Sequence, residues 1–261
     1  MEALAVKPVI KVAALCGSLR KGSFNRGLLR SAIQLSKESV NGMEIEYIDI
    51  SPLPMLNTDL EVNGTFPPVV EAFRQKILQA DSVLFASPEY NFSVTGPLKN
   101  AIDWASRPPN CWADKAAAIV SAGGSFGGGR AQYHLRQIGV YLDLHFINKP
   151  EFYLNAFAPP AKFDSDGNLI DPPSKERLKE VLLSLLAFTL RLKEVLISED
   201  FFGVTCARRH RLSTDISQGE SSSFSLWENG GCSMAHRFCE DRNSLADNRF
   251  TGPRTTRPCS K

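Results

Sequence analysis

No apolar run in this 261-residue chain approaches the ~20 residues needed to cross a bilayer. The longest, Val181 to Leu192 (VLLSLLAFTLRL), is interrupted by Ser184, Thr189 and Arg191 and reads as a core helix. The opening MEALAVKPVIK lacks the basic start and apolar stretch of a secretory signal, and it is not an Arg- and Ser-rich amphipathic presequence. A cytosolic location is expected, either free or resting peripherally on a membrane surface. Neither sign of charge is in excess. The formal net charge is +2 and the basic residues are scattered, so no nucleic-acid footprint is expected. Cysteine is sparse in the first part, with only Cys16 and Cys111 before residue 194, which suits a reducing compartment.

Two nucleotide motifs are missing as well. There is no G-x-G-x-x-G, which disfavours a dinucleotide clamp of the Rossmann type. Gly17 and Gly22 have P-loop spacing, but Ser23-Phe24 follows where Lys and then Ser or Thr would be required, so ATP and GTP chemistry is disfavoured too.

What is present is an alternation of short β-rich runs with helical patterns, the signature of βαβ units and a parallel sheet. Five strands are read at Ile10–Leu15, Ile45–Ile50, Ser82–Ser87, Ala117–Ser121 and His145–Phe152. The third is almost uniformly apolar, as a central strand covered on both faces must be. Helical spacing links Leu28, Leu29, Ala32 and Ile33, then Val69, Val70, Phe73, Ile77 and Leu78, then Leu98, Ile102 and Ala105. Tyr133 to Leu142 and a long stripe through Leu178, Val181, Leu182, Leu185, Leu186 and Thr189 complete five helices. The expected fold is an α/β three-layer sandwich, with Pro159 to Pro173 as an excursion before the last helix.

In a parallel α/β sheet ligands bind beyond the carboxyl ends of the strands, so the loops that follow strands carry the functional information. After the first strand, GSLRKGSFNR (17–26) leads straight into a helix. Ser18, Ser23 and Asn25 offer polar side chains, Arg20 a guanidinium, and the helix start free N–H groups, a set suited to a monophosphate. After the third strand, SPEYNFSVTGPLKNAIDW (87–104) is stiffened by Pro88 and Pro97, with Tyr90 and Phe92 as candidate walls for a flat heterocycle. After the fourth, SAGGSFGGGR (121–130) has five glycines in ten residues, which lets backbone approach a ligand closely.

That last loop also contains Gly123-Gly124-Ser125-Phe126-Gly127, a G-x-S-x-G match that admits a serine hydrolase with Ser125 as nucleophile. Its histidine would have to be His134, on the following helix, or His145, near a strand start. Neither is expected on a late loop at the catalytic edge. From Glu194 onward the strand–helix rhythm stops, and serine, arginine and cysteine replace aliphatic residues. Cys206, His210, Cys232, His236 and Cys239 have zinc-ligand chemistry but irregular spacing, and no metal site is expected there.

GSLRKGSFNRGLL, SPEYNFSVTGPLKNAIDW and SAGGSFGGGRAQYHLRQIG together resemble the NADPH-dependent FMN reductase family and, within it, the plant NADPH:quinone oxidoreductases. The resemblance covers about residues 8–193. It implies a flavodoxin-like five-stranded sheet of order 2-1-3-4-5 with noncovalent FMN, and homodimers or homotetramers with the flavin near a subunit interface. It assigns Ser18, Arg20, Ser23, Phe24 and Asn25 to the phosphate, Pro88, Glu89, Tyr90, Asn91 and Phe92 to the isoalloxazine, and Ser121, Gly123, Gly124 and Phe126 to the opposite wall. Cys16 departs from the family pattern and is expected to be a small buried residue. NAD(P)H and quinones are the implied substrates, with no catalytic side chain and Tyr90 touching substrate. A non-enzymatic flavodoxin-type electron carrier is the alternative, although such carriers are usually acidic and this chain has a pI near 8.2. Family members end near Lys193, so residues 1–193 are expected to form the flavin domain and 194–261 a disordered or aberrant tail.

Overall fold

The computed structural model describes residues 9–201, with side chains through residue 193. The expectations for the tail, including its Cys and His residues, fall outside these residues from 202 on. Strands β1 (Ile10–Cys16), β2 (Met43–Ile48), β3 (Ser82–Ala86), β4 (Ala116–Gly123), β5 (His145–Phe146) and β6 (Phe152–Asn155) alternate with helices. These are α1 (Phe24–Glu38), α2 (Pro68–Gln79), α3 (Gly96–Ser106), α4 (Gly129–Tyr141) and α5 (Pro172–Phe201). The sheet is parallel throughout, in the order β2-β1-β3-β4-β5, with β6 also paired to β4. This is the flavodoxin-like order.

Side chains alternate across each inner strand and divide the core in two. Ile10, Val12, Ala14 and Cys16 of β1, Leu84 and Ala86 of β3, and Ala116, Ala118, Val120 and Ala122 of β4 meet α1 and α5 on one face. Ala13 and Leu15, Val83 and Phe85, and Ala117 and Ile119 meet α2, α3 and α4 on the other, around the buried Trp112. Every residue of β3 is buried, as its uniform apolarity requires.

All five strands differ in their bounds from the sequence reading, β1, β3 and β4 by only one or two residues at an end. β2 begins two residues earlier and ends at Ile48, although Ile50 stays in the core. The fifth strand is not one run from His145 to Phe152. Two short strands share its position, His145 opposite Ala116 and Phe152 opposite Val120. Ile147 still donates to the Ala117 carbonyl (2.9 Å). The intervening Asn148-Lys149-Pro150 then leaves the ladder, because proline has no N–H to offer it. Helix α5 begins six residues before its first stripe position, with Ser174 N–H donating to the Asp171 carboxylate (3.0 Å) in place of an intrahelical partner. Among the described residues no helix is long and apolar enough to cross a membrane.

Cys16 and Cys111 are both buried free thiols whose pKa burial pushes up, Cys16 despite the Ser18 backbone N–H, Arg26 and other groups that oppose it. Both are therefore expected to resist a thiolate-directed reagent in the native protein at pH 8 and to react after urea unfolding, as read by peptide mapping. The sign of the linkage follows. A folded-state pKa above the unfolded thiol value of 9.0 supplies stability that is whole below that pH and is lost as pH rises through the folded value. The urea midpoint should therefore fall between pH 8 and pH 10.

Candidate active site

The loops after β1, β3 and β4 meet at the carboxyl edge of the sheet and enclose a cavity of about 400 Å3. Its lining includes Ser18, Arg20, Ser23, Phe24 and Asn25 from the first loop, Pro88, Glu89 and Tyr90 from the second, and Gly123, Gly124, Ser125 and Phe126 from the third. Eleven of the fourteen residues that the resemblance assigns to the cofactor thus line one space.

The first loop opens into α1 through Ser23, which is buried at the N-cap and yet makes no side-chain cap hydrogen bond. Gly27 N–H is the first to find a backbone partner, the Ser23 carbonyl at 2.9 Å. The preceding N–H groups of the first turn are the free donors of a helix start, and they carry the positive end of its dipole. Arg20 is exposed beside them with its guanidinium 5.7 Å from the Phe24 ring centroid. Asn25 has a different part from the one expected. Its amide donates to the Ala122 carbonyl (2.8 Å) and accepts from the Ala122 N–H (3.0 Å), which ties the first loop to the end of β4.

The second loop is anchored through Thr95, the N-cap of α3. Its hydroxyl donates to the Gly17 carbonyl (2.6 Å) and accepts from Leu98 N–H (3.4 Å), linking the first and second loops. Asn91 and Phe92 stand outside the cavity lining. Both have positive φ, +49° and +65°, at the tip of a tight turn closed by reciprocal hydrogen bonds between Tyr90 and Ser93. The left-handed region disfavours phenylalanine. The Phe92 ring is held there under the Arg130 guanidinium at 4.1 Å.

Ser121 also falls short of the cavity. Its hydroxyl donates to the Gly127 carbonyl (2.6 Å) and accepts from the Gln132 amide (2.7 Å), buried beneath the glycine turn. Gly128 (φ +87°) leaves no room for a Cβ against that side chain, whereas a Cβ on Gly124 would meet nothing within 4 Å. The backbone at Gly124, part of the cavity lining, therefore faces open space.

Arg130 and Phe157, with the backbone-lining Ala122 and Gly128, are lining residues that sequence reading missed, and Arg130 has the most partners. It lines the cavity, packs between Phe92 and Phe126 (4.1 and 4.3 Å to the ring centroids), and pairs with Glu89 at 3.1 Å. The same carboxylate accepts from Arg130 N–H at 2.9 Å, so Glu89 supplies α4 with the acidic group its own first turn lacks. The signal was available: an arginine in the first turn opposes the helix dipole and calls for an acidic partner.

Neither histidine proposed as a base for Ser125 lines the cavity with it. His134 is engaged with the Ser93 hydroxyl (2.9 Å), and His145 lies at the opposite, amino edge of the sheet beside Asp114.

A profile described as NADPH-dependent FMN reductase matches residues 10–159. The chain belongs to that family. Over 194 residues it is 78% identical to an NADPH:quinone oxidoreductase of Arabidopsis thaliana, covering 74% of this chain and 99% of that relative. A NAD(P)H:quinone oxidoreductase of Solanum tuberosum is 76% identical over 190 residues, 73% of this chain and 98% of the relative. Among solved structures, the flavoenzyme NAD(P)H:(acceptor) oxidoreductase FerB from Paracoccus denitrificans is 31% identical with a TM-score of 0.61, covering 70% of this chain and 98% of its own.

The residues of this site fit the phosphate and the flat ring of FMN. An uncapped helix start suited to a phosphate and the open glycine backbone at Gly124 line the same cavity. Tyr90 and Phe126, both at least half exposed, line the same cavity.

Proposed function

We propose that this chain is an FMN-dependent NAD(P)H:quinone oxidoreductase that reduces quinones by two electrons and so protects against semiquinone formation. The observation that carries the reading is one cavity walled by three strand-end loops, in which phosphate-type donors, open glycine backbone and aromatic side chains share the lining. The names borne by the two plant relatives and the bacterial flavoenzyme support it.

When bound, FMN would supply the two-electron chemistry, hydride acceptance from NAD(P)H and reduction of a quinone in two alternating half-reactions at one place. The residues of the chain do the rest. Ser18, Arg20, Ser23 and the first N–H groups of α1 hold the phosphate. Gly123 and Gly124 leave backbone free to lie against the ring, with Pro88, Glu89 and Phe126 shaping the remaining wall. Tyr90, half exposed at the rim, touches the substrate. Arg130, neutralised by Glu89 and wedged between two rings, keeps the second and third loops together. Neither half-reaction draws on a side-chain acid or base.

The test is direct. The purified full chain should be yellow, oxidise NADPH faster with a benzoquinone than without, and give parallel double-reciprocal lines, the pattern of substrates that alternate at one site. Intersecting lines would reject the alternating scheme, and a colourless protein unable to take up FMN would reject the whole reading. A flavodoxin-type carrier would be yellow but show no quinone-dependent turnover.

Three finer features belong to the same proposal. The protein works in the cytosol, where buried free thiols persist, either free or at a membrane surface. It assembles as a homodimer or homotetramer that covers the aromatic rim formed by Tyr90, Phe92, Phe126 and Phe157, all at least half exposed in the single chain. The flavin domain is complete within residues 1–193. A chain ending at Lys193 is accordingly expected to retain flavin at full occupancy and to oxidise NADPH at the full-length rate. Loss of flavin on truncation would assign the tail a part in the site.

A further inference from the structure

The connection from β6 to α5 is a small hairpin in which Phe163 pairs with Leu169. Its turn is tightened by the Asp164 carboxylate, which accepts from Asp166 N–H (3.0 Å), Asn168 N–H (2.8 Å) and the Asn168 side-chain amide (2.9 Å). These bonds hold the Asp164 carboxyl below its ordinary range. None of the hairpin's residues lines the cavity, yet it packs against the loop that does.

Four contacts define the packing. Gly167 is buried with φ +77°, and a Cβ there would stand 2.6 Å from the Gly22 carbonyl oxygen and 3.4 Å from that of Ser23. Gly27, one turn into α1, has no room for a Cβ because the Gly167 carbonyl occupies that place. Glycine therefore meets glycine, and no other residue permits so close an approach. Arg30 then donates through Nε to Asn168 Oδ1 (2.7 Å) and through Nη2 to the Asp166 carbonyl (3.2 Å). The Phe163 ring stacks on Phe24 at 4.5 Å between centroids and 23° between planes.

We infer that the Phe163–Leu169 hairpin is a positioning element for the phosphate end of the flavin site, holding the Gly22–Ser23 peptide and the first turn of α1 in their receiving conformation. The inference rests on the FMN reading given above. Its physical basis is the looseness of the opening loop taken alone. Within that loop the one backbone hydrogen bond runs from Ser23 N–H to the Arg20 carbonyl (3.1 Å), supplemented by a long contact from Arg20 N–H to the Ser18 hydroxyl (3.4 Å). A loop of glycines and serines so lightly tied loses entropy when a ligand orders it, and a rigid seat beneath it removes that loss from the binding step. Gly167, Asn168 and Arg30 are thus positioning residues that act through Gly22, Ser23 and the start of α1.

The experiment compares FMN with riboflavin, which lacks the phosphate. The full-length chain is stripped of flavin and titrated with each by fluorescence quenching, as wild type, Gly167→Ala and Arg30→Ala. Wild type should prefer FMN strongly. Both variants should lose FMN affinity by about tenfold or more, the worth of one weakened charge-assisted contact, with riboflavin affinity unchanged. Arg30→Lys should recover part of the loss. Gly167→Ala removes no charge, so agreement between the two variants excludes a purely electrostatic effect of Arg30. General destabilisation lowers both affinities together, and equal losses for the two flavins would overturn the inference. So would an unchanged FMN-to-riboflavin ratio in both variants, which leaves the phosphate reading intact. A wild-type ratio near one would instead remove the phosphate reading, and the inference with it.

Discussion

Replacing Arg20 and Ser23 together by alanine is expected to yield a folded protein that purifies without its yellow colour. Each side chain offers the phosphate a charge-assisted hydrogen bond, which contributes about 1.5–3 kcal/mol. Losing both raises the FMN dissociation constant by roughly 10^2- to 10^4-fold. The protein without flavin should hardly notice. Serine at an N-cap ordinarily contributes about 0.5–2 kcal/mol through its bond to the helix, but Ser23 makes no such bond here. Arg20 is exposed, with its guanidinium near the Phe24 ring and over Gly22. Flavin absorbance per mole of protein, together with the melting temperature of the stripped protein, reads the two effects separately. Full flavin occupancy in the double variant would remove the foundation of the functional reading.

Arg74→Ala is expected to act in the opposite way, on stability first. Arg74 is 2% exposed and donates to three carbonyls, those of Trp104 (2.9 Å), Arg107 (2.9 Å) and Pro109 (3.0 Å). It thereby caps the carboxyl end of α3 from the neighbouring α2 and puts its charge at the negative end of that helix's dipole. The guanidinium also lies 4.0 Å from the Phe66 ring centroid. Truncation leaves buried carbonyls without donors, at about 1–3 kcal/mol for each that water does not reach, so a total loss of about 3–5 kcal/mol is expected. For a domain of this size that is a fall in Tm of roughly 6–20 °C. Arg74→Lys should recover less than half, since a single ammonium cannot span three carbonyls in a planar fork. Calorimetry of the holoprotein decides it, and a drop of under about 2 °C would show that solvent replaces the lost donors. Flavin binding at low temperature should survive, because Arg74 lies away from the cavity lining.

These two residues also mark what could and could not be read in the chain. Arg20 announced itself by following a strand and preceding a helix in a loop of small polar residues. Arg74 sits in α2 with nothing in its neighbourhood to separate it from a solvated helix residue. Its partners come from the end of α3, 30 to 35 positions later. The same holds for Arg130 and Glu89, 41 apart, for Asn25 and Ala122, 97 apart, and for Arg30 and Asn168, 138 apart. Asn25 was rightly placed at the cavity but given a phosphate-facing side chain, whereas its amide is bound to the backbone of β4. Ser121, Asn91 and Phe92 belong to the right loops and shape them from outside the cavity.

The amino-acid order alone determined the strand–helix alternation, the parallel sheet and the three loops that carry the site. Alternating apolar periods specify which face each element buries, and every loop that follows a parallel strand is delivered to the same edge. Only the tertiary structure decided which polar side chains turn inward to bind ligand and which turn aside to bind other loops. Those outcomes depend on distances between residues far apart in the chain, set by how helices pack on the sheet, and local sequence carries no measure of them.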